Sequence, residues 1–92
     1  MKTDLQGMES RVALIAVIVE NLASVEGLNA IIHEYRDIVI GRMGIPYKVR
    51  NINIMSIAVD GSTASINALS GKIGRLPGVT VKTAYAAIPD PS

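Results

Sequence analysis

Cysteine, tryptophan and phenylalanine are absent from this chain of 92 residues, and histidine occurs once, at His33. Missing thiols exclude disulfides, thiolate metal ligation and a cysteine nucleophile. The three tyrosines are the only aromatic residues, so a core has to be assembled from Ile, Val, Leu, Met and Ala. An excess of charge of one sign is lacking as well. Nine basic residues against eight acidic ones leave a net charge of +1, which gives neither a nucleic-acid footprint nor a polybasic membrane patch. Neither direct nucleic-acid binding nor a membrane role is expected. The run VALIAVIVE is about half the length that a bilayer crossing requires. The opening MKTDLQGMESR has no apolar segment of the signal-peptide kind. These readings predict a cytoplasmic protein with one domain over 11–88 and short tails at 1–10 and 89–92.

What the chain does contain is a repeat. RVALIAVIVE aligns with NINIMSIAVD at an offset of 40, placing Val12, Leu14, Val17, Val19 and Glu20 on Ile52, Ile54, Ile57, Val59 and Asp60. Both runs are β-branched and short, followed by turn-prone residues, and read as strands. Each is followed by a stripe of helical period: Val25, Leu28, Ile32 and Tyr35, then Ile66, Leu69, Ile73 and Leu76. Ser24 is the expected N-cap of the first helix and Ser62 or Thr63 that of the second. The offset of 41 carries Ile38 and Ile40 onto Val79 and Val81, so a strand follows each helix. The elements expected are strands at 11–20, 37–43, 51–60 and 78–87, with helices at 24–36 and 62–76. Two such strand–helix–strand units make an α+β, ferredoxin-like βαββαβ sandwich, four antiparallel strands with both helices on one face.

The segment SGKIGRLPG invites comparison with a phosphate loop, but Ile73 follows Gly71-Lys72 where Ser or Thr is required. The context is also reversed, with a helix before and a strand after. Gly71 and Gly74 therefore sit in a helix, away from its apolar stripe. Either they are tolerated there, at about 1 kcal/mol each relative to alanine, or they allow close approach of another subunit or a ligand. A sheet covered on one face should alternate apolar and polar residues. Here Val12, Leu14, Ala16 and Ile18 are as apolar as the residues between them, and Ile54 continues the pattern. A second apolar face predicts a homo-oligomer, with Val12, Leu14, Ile54, Gly71 and Gly74 as candidate interface residues.

Catalytic groups are harder to assemble. His33 reads as a solvated helix residue, and one histidine without cysteine is a poor transition-metal site, so neither a metal nor a cofactor is expected. No serine lies in a nucleophile elbow. Glu20 and Asp60 hold equivalent places in the repeat and read as strand-end residues, the alternative being a carboxylate pair for acid–base work. The stretch RMGIPYKVRN reads as a long loop carrying Arg42, Tyr47, Lys48 and Arg50. With the turn from Asn21 to Gly27, it supplies the candidate ligand-binding residues Asn21, Gly27, Arg42 and Tyr47.

Together the repeat, VIVE, RMGIPY and NALSGKIGRLPGVTVKT resemble the small iron-only hydrogenase system regulators, over about Arg11 to Ala84. The resemblance implies an ACT-like domain similar to the ligand-sensing domain of nickel-responsive repressors, a role in regulating a hydrogenase system, and assembly into dimers or tetramers. The nickel repressors use histidines and a cysteine, whereas His33 stands alone here. Amino-acid-binding ACT domains carry Asp-x-Pro-Gly after the first strand, whereas this chain has Glu20-Asn21-Leu22-Ala23. Neither ligand carries over on these residues. The reading is a non-enzymatic regulatory domain acting through a small molecule or a hydrogenase-related protein. Its rival is a small enzyme in which Glu20, Asp60, Tyr47 or Arg42 of neighbouring chains meet at a subunit interface.

Overall fold

Strands form where β-branched residues are dense, and the two densest runs pair with each other at the centre of the sheet. In a computed structural model, which describes residues 10–87, β1 (Ser10–Val19) and β3 (Ile52–Ser62) are antiparallel from Ser10↔Ser62 to Val19↔Asn53. Strand β2 (Val39–Tyr47) flanks β3, and β4 (Val79–Tyr85) flanks β1, giving the order β2-β3-β1-β4. Helices α1 (Val25–Glu34) and α2 (Thr63–Gly74) make the second layer. This is the ferredoxin-like arrangement. Repeat and register coincide at one point: Ala16 and Ser56, related by the offset of 40, lie directly opposite each other. The two halves are thus arranged about an approximate two-fold between these small residues.

The core lies between sheet and helices. Ala13, Ile15, Val17 and Val19 of β1 and Met55, Ile57 and Val59 of β3 are buried with Leu28, Ile32, Ile66, Leu69 and Ile73. Burial of each large side chain contributes about 1.5–3 kcal/mol. The stripe residues Val25, Tyr35 and Leu76 pack against this cluster without being fully enclosed. Ser62 caps α2, its Oγ accepting from Ser65 N at 3.1 Å, as its sequence position indicates.

Several boundaries differ from expectation. Ser24 does not cap α1 with its side chain; its Oγ donates to the Pro77 carbonyl at 2.6 Å. Instead Asn21 accepts from Ala23 N at 3.0 Å and starts a single 3-10 turn, Leu22–Ser24. Strand β2 continues through Gly44 and Pro46 to Tyr47, so the expected long loop shrinks to Lys48–Asn51. That hairpin is closed by Asn51 N donating to Lys48 O at 3.2 Å, with Asn51 at φ 57°. Pro46 is admissible because β2 is an edge strand, with one free hydrogen-bonding side. A bulge between Val39 and Gly41 shifts the pairing, so Val39, opposite Val59, matches Val79, opposite Val19. The offset there is 40 rather than 41. The tails expected at 1–10 and 89–92 lie outside the described residues, except Ser10, which opens β1.

One turn holds both layers at the sheet's end. Gly78 has φ +68°, and a Cβ there would come within 2.6 Å of Asn21 Cβ. Its carbonyl accepts from Glu20 N at 2.7 Å. With the Ser24–Pro77 bond, this fastens the turn after β1 to the turn before β4.

Candidate functional site

Because side chains alternate along a strand, fixing Ile15 and Ile57 in the core turns their neighbours outward. The pairings arrange these outward residues in rows across the sheet: Gly41–Ala58–Leu14–Ala84, Met43–Ser56–Ala16–Lys82, and Ile45–Ile54–Ile18–Thr80. Val12 and Asp60 extend the array at one end, and Tyr47 and Ile52 at the other. Val12, Leu14, Ile18, Met43, Ile45, Tyr47 and Ile54 are 40–65% exposed. Of the expected interface residues, Val12, Leu14 and Ile54 thus share one uncovered face. Gly71 and Gly74 belong to α2, in the other layer, where a Cβ on Gly74 would meet nothing within 4 Å.

A hollow of about 540 Å³ closes the Tyr47 end of this face, lined by Ile18, Glu20, Tyr47, Arg50, Ile52, Ile54 and Thr80. Three isoleucines provide an apolar floor. The Tyr47 hydroxyl, the Arg50 guanidinium, the Glu20 carboxylate and Thr80 supply polar groups of both kinds around it. Such a combination suits a small molecule with an apolar body and a polar head. Tyr47 and Arg50 are foreseeable from their charge and aromaticity. Thr80 is legible only through alternation, Val79 and Val81 turning inward and Thr80 and Lys82 outward.

The other expected ligand residues go elsewhere. Arg42 lies in register with buried Ile57, on the helix side of the sheet, where its Nη2 donates to Asn29 Oδ1 at 2.7 Å. A separate cleft of about 380 Å³ lies there, lined by Asn29, Ile32, His33, Arg36, Val39 and Arg42. The Asn21 side-chain oxygen is committed to its turn. Gly27 faces Leu76, whose Cδ2 would be 3.2 Å from an added Cβ, so its role is to let the C-terminal end of α2 approach α1. The carboxylates matched by the repeat are parted by the antiparallel pairing. Asp60 is opposite Val12, about 26 Å along β1 from Glu20 at 3.3 Å per residue, so within one chain they form no acid–base pair.

The structure perturbs the titration of Lys72. Its Nζ donates to Glu34 Oε2 at 2.7 Å and lies 5.0 Å from the centre of the Tyr35 ring. Its pKa is raised from 10.5, chiefly by the hydrogen bond to Glu34. Among the described residues no three His, Cys, Asp or Glu side chains gather as a metal site. No helix there is long and apolar enough to cross a membrane.

Sheet order, helix placement and an uncovered apolar face define a ferredoxin-like α+β domain. The chain belongs to the TM1266-like family, described as "Iron-only hydrogenase system regulator, putative", which matches residues 11–83. Among solved structures it is similar to the uncharacterized protein TM1266 from Thermotoga maritima. The two share 28% identity with a TM-score of 0.82, over 86% of this chain and all (100%) of the other. An unknown protein from Galdieria sulphuraria shares the fold at 15% identity and a TM-score of 0.57, over 90% of this chain and 49% of its own. No curated protein matches the sequence.

Proposed function

We propose that this protein is a non-enzymatic, cytoplasmic regulatory module of an iron-only hydrogenase system, working as a homo-oligomer joined through its helix-free sheet face. The observation that carries the reading is the contiguous apolar array of Val12, Leu14, Ile18, Met43, Ile45 and Ile54 on that face. Its three strands, about 4.8 Å apart over some seven residues, give a patch on the order of 300 Å² in projection. A patch of this size matches the largest one on a typical monomer, which is often a functional contact surface. Its occupant is a second copy of the chain. The approximate two-fold at Ala16 and Ser56 makes the face similar to itself when turned around. Its margin carries both Lys82 and the acids Glu20 and Asp60, so a second copy brings no excess of like charge. A non-catalytic role is supported by the family description. The hollow at Tyr47 lies on the same face, where a second subunit would roof it, and it is the place for a small regulatory ligand.

Sedimentation measures the assembly directly. The protein is expected to sediment as a dimer or tetramer at micromolar concentration. Ile18→Arg should yield a folded monomer, with its far-ultraviolet circular dichroism unchanged. A parent chain monomeric at 100 micromolar (about 1 mg/ml) would overturn the assembly. Thermal-shift screening of small metabolites tests the ligand, because binding to the native state raises Tm with ligand concentration.

A further inference from the structure

The cleft on the helix side of β2 has a chemistry distinct from that of the apolar face. Its floor is apolar, formed by Ile32 and Val39, and its rim carries Arg36, Arg42, His33 and the Asn29 amide. Two guanidiniums converge there from different elements, Arg42 from β2 and Arg36 from the turn after α1. Neither has an ion-pair partner among the described residues. Arg42 spends one donor on the neutral Asn29 Oδ1 at 2.7 Å. Arg36 spends one on the His33 carbonyl at 3.0 Å. Asp37 adjoins Arg36 in sequence but is not part of the cleft lining, Glu34 is engaged by Lys72 at 2.7 Å, and no carboxylate lines the cleft. Each guanidinium has five N–H donors, so most of their donors remain unused.

Salt bridges elsewhere cannot account for this pair, and its hydrogen bonds do not neutralise it. The bonds to Asn29 and to the His33 carbonyl each engage one guanidinium nitrogen, and both arginines line the hollow. We infer that the α1–β2 cleft is a binding site for a small oxyanion, a carboxylate or phosphate group gripped by Arg36 and Arg42, with the ligand's short apolar portion over Ile32 and Val39. A volume of about 380 Å³ sets the ligand's size, within the ordinary range for small-molecule sites. Planar, bidentate recognition of this kind is what guanidinium offers and ammonium does not. The site lies across the sheet from the oligomer face and does not depend on it.

Titration of the isotopically labelled protein, followed by amide NMR shifts, tests the site. Inorganic phosphate and butyrate are added separately, against sodium chloride at matched ionic strength. Saturable shifts confined to residues 29–42 are expected with at least one of the two, and the tighter binder identifies the oxyanion. Arg36→Gln should weaken that binding by about tenfold, the loss of one charge-assisted pair. Arg42→Lys, which retains charge but loses the fork, should weaken it as well. No saturable shift with either anion, shifts equalled by chloride, or shifts unchanged in Arg36→Gln would each overturn the site. All three readouts hold whether the protein sediments as an oligomer or as a monomer.

Discussion

The two faces of the sheet are built from the same strands and nearly the same residue types, yet they meet different fates. On β1, Ile15, Val17 and Val19 are sealed from solvent while Val12, Leu14 and Ile18 are 41–48% exposed. What separates them is the helices: α1 and α2 bring Leu28, Ile32, Ile66, Leu69 and Ile73 onto one side only. Hydropathy along the strand therefore does not report burial within the chain. It reports how much of the sheet has to be covered by something, and the unpartnered face shows how much covering the chain itself leaves undone.

The sharpest break in that comparison comes from two isoleucines three positions apart on β3. Ile57 is fully buried, and Ile57→Ala should cost about 2–5 kcal/mol through lost transfer energy and the cavity left behind. Thermal unfolding should show it as a fall in Tm of more than about 10 °C. Ile54 is 40% exposed on the other face. Ile54→Ala should change the stability of a monomer by about 0.5 kcal/mol or less but weaken self-association measured by sedimentation. Equal destabilisation by both substitutions, independent of protein concentration, would erase the distinction between the faces.

Much of this division was legible in the residues. The offset of 40 between Val12–Glu20 and Ile52–Asp60 located the central strands, and the stripes through Leu28, Ile32, Ile66, Leu69 and Ile73 located the helical layer. The site was less legible, for physical reasons. Period-two alternation says which side chains share a face, but it does not say where a strand stops. Because Gly44 and Pro46 are weak strand residues, the stretch after Arg42 looked like a loop. Once it is strand, Arg42 and Tyr47, five residues apart, fall on opposite faces and into different hollows. Glu20 and Asp60 show the same limit: a repeat equates positions, and antiparallel pairing then sets equated positions at opposite ends. Asn21 and Gly27 looked available because turns are where ligands often sit, but here hydrogen bonding and helix packing already use them.

A somewhat smaller effect tests what holds the two layers together beside the Tyr47 hollow. Gly78→Ala has to place a side chain at φ +68°, against Asn21 Cβ at 2.6 Å and Asn21 N at 2.9 Å. Left-handed backbone and this close approach together should cost about 1–3 kcal/mol. The loss should be localised: hydrogen exchange at Glu20 N, which donates to the Gly78 carbonyl, should accelerate more than exchange in the centre of β1. Uniform acceleration would mean that this turn carries no special share of the link between sheet and helices.

The smallest expected effect lies on the outer surface of the helical layer, where electrostatics replaces apolar burial as the tie. Lys72 joins α2 to α1 through Glu34 at 2.7 Å and the Tyr35 ring, with both charged side chains partly in solvent, at 37% and 56% exposure. Screening keeps such a pair weak. Its pKa is raised in the folded chain above the usual 10.5, so the folded state holds this proton more firmly than the unfolded one. The stabilisation it gives is accordingly complete below about pH 10 and is lost as pH rises through the folded value. Lys72→Met should lower Tm slightly at pH 7 in low salt. The difference from the parent should shrink both at high salt and as pH rises through the raised folded value of Lys72. A difference that persisted unchanged under both conditions would assign Lys72 a packing role, extending the apolar logic of the covered face out to its solvent side.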